Sequence, residues 1–130
     1  MSSFCTVINC MDGSVQLPVN KFLKKRFHTA HVDTITAPGP NLILARGDDL
    51  TAVDAILHGV EISVEQHGSN QIAVVGHAAC VSNPAPKGEQ FVHLRMAYDR
   101  LRDAFPDCEI TTLWVSLKGR IEEISFGRET

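Results

Sequence analysis

Cys10, Asp12, His77 and Cys80 are the residues whose types and spacing could carry chemistry. Two thiolates and one imidazole suit zinc, which takes sulfur and nitrogen ligands in tetrahedral geometry and, in catalytic sites, leaves its fourth position to water or substrate. His77-Ala-Ala-Cys80 is a short chelating loop, and Cys10-Met-Asp12 places a carboxylate two residues from a thiol. A His-x-x-Cys pair alone is weak ground, because four cysteines and six histidines in 130 residues produce one by chance fairly often. Its weight depends on the elements that would position it.

Phe4 to Asn9 is a short apolar, β-branched run that ends at Cys10 and meets the turn-prone Asp12-Gly13-Ser14, the pattern of a buried strand leaving a sheet. Pro18 suits the first turn of a helix in which Val19, Phe22, Leu23 and Phe27 recur at helical spacing. Lys24, Lys25 and Arg26 in its last turn complement the helix dipole and read as a solvated face. His31 to Thr36 predicts a second strand, terminated by Ala37-Pro38-Gly39-Pro40, whose prolines and glycine forbid continuation of regular structure and fix a loop. Asn41 to Asp49 carries a weaker signal. Leu50, Val53, Leu57, Val60 and Val64 then predict a helix opened by the capping-box-like Thr51-Ala-Val-Asp54 and closed by Gly68. Gln71 to Gly76 is a continuous apolar strand of the kind buried in a parallel sheet, and it delivers His77. Ser82 to Gly88 reads as a loop, Phe91, Leu94, Tyr98, Leu101 and Phe105 as an amphipathic helix stopped by Pro106. Glu109 to Leu117 and Arg120 to Phe126, joined at Lys118-Gly119, predict a closing antiparallel hairpin.

This order defines an α/β fold, a mainly parallel central sheet flanked by helices with a C-terminal antiparallel hairpin, and residues 1–130 read as one domain. In such a sheet ligands bind outside the carboxyl ends of the strands, where Cys10 with Asp12, the Ala37–Gly39 loop, and His77 with Cys80 all fall. With 12 basic against 15 acidic residues, the net charge of −3 argues against a nucleic-acid partner. The apolar runs fall short of the roughly 20 residues that cross a bilayer, which argues against a membrane one. The N-terminus has no basic n-region or long apolar stretch, so a cytoplasmic location is expected, and there Cys5, Cys10, Cys80 and Cys108 are thiols or metal ligands rather than disulfides. Cys5 and Cys108 read as buried thiols, His28 and His31 as surface or capping groups, and His58, His67 and His93 as exposed histidines on helices or their ends. Gln16 would stabilise the turn after Cys10 or reach an anion beside the metal. A thiol-redox enzyme is disfavoured, because Cys10 and Cys80 form no Cys-x-x-Cys pair and nothing nearby acidifies either.

Cys10-Met-Asp12-Gly-Ser14 and Gly76-His77-Ala-Ala-Cys80 resemble the two signatures of the β-class carbonic anhydrases, Cys-x-Asp-Ser-Arg and His-x-x-Cys-Gly, and the resemblance continues in order along most of the chain. It implies that Cys10, His77 and Cys80 ligate zinc and that Asp12 is the catalytic carboxylate, orienting a zinc-bound hydroxide or itself taking the fourth position. The implied reaction is reversible hydration of carbon dioxide, or of an analogue such as carbonyl sulfide, by a homodimer, with Gly39 and Gln16 as candidate substrate contacts. The family's arginine pairs with the aspartate and keeps it off the metal. Ser14 stands in its place, with a hydroxyl that can neither form a bidentate pair nor supply charge. Either Asp12 closes onto zinc and hydration is slow or absent, the favoured expectation, or another cation, with Arg46 as the first guess, takes over. Val81 also replaces the glycine after the second cysteine, and Ala37-Pro38-Gly39 matches its family segment only in part. A zinc-binding domain without activity, sealed by Asp12, is the alternative from a different class.

Overall fold

A computed structural model describes residues 3–126. In chain order the elements are β1 (Phe4–Cys10), a 3-10 turn (Gly13–Val15), α1 (Gln16–Phe27), β2 (His31–Ala37), α2 (Pro40–Arg46), α3 (Leu50–His67), β3 (Gln71–His77), α4 (Lys87–Ala104), β4 (Glu109–Val115) and β5 (Ile121–Ile124). The strands form one sheet in the order β2-β1-β3-β4-β5. All pairs are parallel except β4 with β5. This is the expected α/β architecture, a mostly parallel sheet flanked by helices with a C-terminal antiparallel pair.

Strand periodicity divides the core into two layers. On one face Cys5 and Val7 of β1, Ala73 and Val75 of β3, and Leu113 and Val115 of β4 pack with Val19, Leu23 and Phe27 of α1. On the other, Ile8, Ile72 and Val74 pack under Leu44 of α2, Val53, Ile56 and Val60 of α3, and Leu94, Ala97 and Leu101 of α4. β1 and β3 are buried on both faces because both faces are covered, each fully buried Leu, Ile or Val contributing about 1.5–3 kcal/mol. Ile8 stands opposite Val74 in the parallel ladder, so β1 and β3 leave the sheet at the same edge. That edge carries Cys10 and His77.

Several boundaries differ from the sequence-based expectation. Pro40 does not prolong the break after β2; it occupies the first turn of α2, where its missing N–H is no loss and its fixed φ favours a helix. Helix α1 starts at Gln16 and carries Pro18 in its first turn, as expected. The cap of α3 is Asp49, whose carboxylate accepts from the Ala52 N–H at 3.1 Å, rather than Thr51. Helix α4 begins at Lys87 and so takes in the end of the expected loop. The hairpin forms, but β5 covers only Ile121–Ile124.

Candidate metal centre

Cys10 ends β1 and His77 ends β3, and a tight turn then returns Cys80 to the same place. The Cys10 and Cys80 sulfurs lie 3.8 Å apart. One ligand atom from each of Cys10, His77 and Cys80 lies within 4.8 Å of the others, and this is the one such group among the described residues. All three side chains are buried. His77 Nδ1 donates to the Ala78 carbonyl at 2.9 Å, which fixes the tautomer and leaves the lone pair on Nε2. Nε2 is buried without a hydrogen-bond partner. An orphaned imidazole nitrogen facing two thiols is costly unless a cation uses it, and the donor set is that of zinc.

Burial pushes the Cys80 thiol pKa up, the Asn83 N–H opposes this, the nearby Cys10 thiol adds to the rise, and the Ser82 N–H opposes it. Thiols that resist ionisation in such a place become thiolates when a divalent cation neutralises them. Ala79, between His77 and Cys80, has φ +57°. An alanine in this left-handed region costs about 1–2 kcal/mol, so the chelating turn is held against local strain.

The loop after Cys10 is shaped by buried amides. Asn9 accepts from the Cys10 N–H at 2.9 Å and donates to the Val15 carbonyl at 3.1 Å. Gln16 donates its amide to the Cys10 carbonyl, the first of the two roles expected for it. Asp12 Oδ1 accepts from both the Ser14 N–H at 2.9 Å and the Ser14 hydroxyl at 2.8 Å. These bonds, the backbone one first, hold the Asp12 carboxyl below the usual carboxylate range, with the nearby His77 adding a smaller pull. The Ser14 hydroxyl thus acts together with its own backbone N–H, but both donors reach the same oxygen and neither brings a charge. Asp12 stands outside the close Cys10, His77 and Cys80 group. Arg46 is not the substitute cation either, since it lines a groove between α2 and α4 with Leu42, His93 and Met96 and is not among the groups acting on Asp12.

Gly39 lies against the segment that follows Cys80. Its φ is +58°, and a Cβ there would stand 3.2 Å from the Ser82 backbone, so glycine permits the β2–α2 connection to touch the segment after Cys80. His93 is partly buried rather than exposed, and its Nδ1 meets the Asn83 side-chain amide at 3.1 Å. Burial raises the thiol pKa of both Cys5 and Cys108. Cys5 lies fully within the core and Cys108 is half-buried.

The sequence reading missed a set of buried polar side chains behind the loop: Asn41, Asn83 and Gln90. The Gln90 amide nitrogen reaches the carbonyls of His77, Asn83 and Ala85 at 2.9, 3.1 and 3.2 Å. Its oxygen accepts from Asn41 at 3.2 Å, and Asn83 donates to the Asn41 oxygen at 3.3 Å. Gln90 falls in phase with Leu94, Ala97 and Leu101, and a polar residue on an apolar helical stripe was the available signal.

Comparison with known proteins agrees with this fold. A family model described as "Putative carbonic anhydrase" matches residues 1–125, and the chain belongs to that family. No curated protein matches it. Among solved structures, β-carbonic anhydrase isoform I of Trichomonas vaginalis is similar with a TM-score of 0.60 at 13% identity, over 94% of this chain and 81% of that one. One of two tetrameric β-carbonic anhydrases from Sordaria macrospora gives 0.57 at 13% identity, over 99% and 84%. The β-carbonic anhydrase of Aspergillus fumigatus gives 0.55 at 11%, over 98% and 77%. The fold is that of the β-carbonic anhydrases.

Proposed function

We propose that this chain is a zinc-dependent lyase that interconverts carbon dioxide and bicarbonate, with Cys10, His77 and Cys80 holding the metal and Asp12 as the catalytic carboxylate. The observation that carries the reading is the grip of Ser14 on Asp12 Oδ1 through two donors, which favours a carboxylate held beside the metal group rather than within it. A zinc ion held by Cys10, His77 and Cys80 would supply a Lewis acid able to bring the pKa of water toward neutrality. The chain's own residues supply the rest. Asp12, kept ionised by its Ser14 bonds, offers Oδ2 as a hydrogen-bond acceptor that can orient the attacking water and hold its remaining proton away from the carbon. The His77 Nδ1 bond to Ala78 keeps Nε2 free for the metal. Buried Cys10 and Cys80 keep bulk water from their side of the site.

The second reading is a sealed zinc domain without activity, favoured by the fact that Ser14 engages only one of the two Asp12 oxygens and brings no charge. Carbonyl sulfide is the analogue the same apparatus would hydrolyse. The protein is proposed to work as a cytoplasmic homodimer on a dissolved small molecule, with residues 1–130 as one domain; no helix among the described residues is long and apolar enough to cross a membrane. Stopped-flow hydration of carbon dioxide above pH 8 with the zinc-loaded protein tests the reading. A rate above buffer supports it, and a buffer-level rate with zinc fully loaded leaves the sealed domain.

A further inference from the structure

The buried amide of Gln90 sits in a helical row otherwise filled by Leu94, Ala97 and Leu101. It is 1% exposed, and an apolar side chain of the same length would fill that volume without any polar group to desolvate. What the amide adds is a connection. Its two hydrogens are shared among three carbonyls, one on His77 and two, on Asn83 and Ala85, beyond Cys80. Gln90 thus ties the two sides of the chelating loop to one atom on a rigid helix. Asn83 also directs its backbone N–H at the Cys80 sulfur, so the same contact bears on both metal-ligating residues of the turn. The Gln90 amide cannot rotate freely, because its oxygen is held by Asn41. The space it occupies exists because residue 76 is glycine: a Cβ there would stand 2.9 Å from Asn41 Nδ2 and 3.0 Å from Gln90 Oε1.

We propose that Gln90 is a positioning residue for the metal centre, setting the separation of His77 and Cys80 through the His77, Asn83 and Ala85 carbonyls. This rests on the zinc-site reading above. Side chains that orient metal ligands from behind typically carry about a 10- to 100-fold share of metal affinity. Gln90→Met keeps length and removes every donor and acceptor. The test measures zinc affinity of the full-length protein by competition with a chelator, the visible absorption of the cobalt(II) form, and the thermal midpoint of the metal-free protein. The expected result is a zinc dissociation constant raised about 10- to 100-fold with altered cobalt bands. Asn41→Ser, which frees the Gln90 oxygen while leaving the amide in place, is expected to weaken zinc several-fold in the same direction, and it carries the test if Gln90→Met does not fold. A merely structural amide would lower the metal-free midpoint and leave affinity and cobalt bands of the folded variants at wild-type values, which overturns the proposal. A wild-type protein that takes up no zinc overturns the zinc-site reading and this inference with it; a wild type that binds zinc beside variants that bind it equally overturns this inference alone.

Discussion

Asp12 and Ser14 show how a lost side-chain partner can be replaced by backbone. An arginine would hold the carboxylate through two oxygens and a full charge, whereas Ser14 offers its hydroxyl and N–H to a single oxygen. Ser14→Ala removes one of these donors. If Asp12 orients the attacking water, hydration by that variant falls about 10-fold or more, in line with general acid–base contributions, with zinc content unchanged. Metal analysis beside the rate measurement checks both halves. Ala79 offers a stability test at the same scale: with φ +57°, Ala79→Gly is expected to stabilise the protein by about 1 kcal/mol and raise the thermal midpoint by roughly 4 °C. The thiols and imidazole were legible in the sequence because they close two strands and match known signatures. The grip of Ser14 on Asp12 was not, since half of it is a backbone N–H that any residue at that position would carry.

Elements explain which parts of the frame were readable. β1 and β3 announced themselves as continuous apolar runs, and α3 as a long stripe, because burial on two faces or on one helical face leaves a period in the chain. α2 escaped because Pro40–Arg46 is too short for a period to emerge and opens with a residue that usually ends structure. Gln90 escaped because the apolar pattern of α4 becomes visible only from Phe91 onward. Two predictions belong here. Gly76→Ala drives a Cβ against Asn41 and Gln90, both hydrogen-bonded and buried, so a loss of about 1–3 kcal/mol is expected in chemical denaturation. His93, on α4, is held below its usual pKa by burial, with Glu89 pulling it up and Arg46 pushing it down. Its folded state therefore takes a proton less readily than the unfolded chain. That stability is present above about pH 6.5 and is lost as pH falls through the lower folded value. Thermal midpoints measured from pH 7.5 to 5.5 should fall less in His93→Gln than in the wild type.

On the scale of the whole molecule, the sheet and its two helical layers bring strand ends separated by dozens of residues to one edge, and Cys10, His77 and Cys80 converge there. The order of elements was enough to predict that edge, because right-handed parallel crossovers leave few other arrangements. Distances across the edge were not predictable, which is why Arg46 could be guessed as a cation for Asp12 while it lines a groove between α2 and α4. The fold is that of the β-carbonic anhydrases, and Ser14 stands where the resemblance expects an arginine, so the proposed activity hinges on whether the Ser14 grip suffices. Stopped-flow carbon dioxide hydration by the zinc-loaded wild type, run above pH 8 beside Ser14→Arg, decides this most directly. The account predicts a wild-type rate clearly above buffer that Ser14→Arg increases further; a wild-type rate equal to buffer, with activity appearing only in Ser14→Arg, would contradict it.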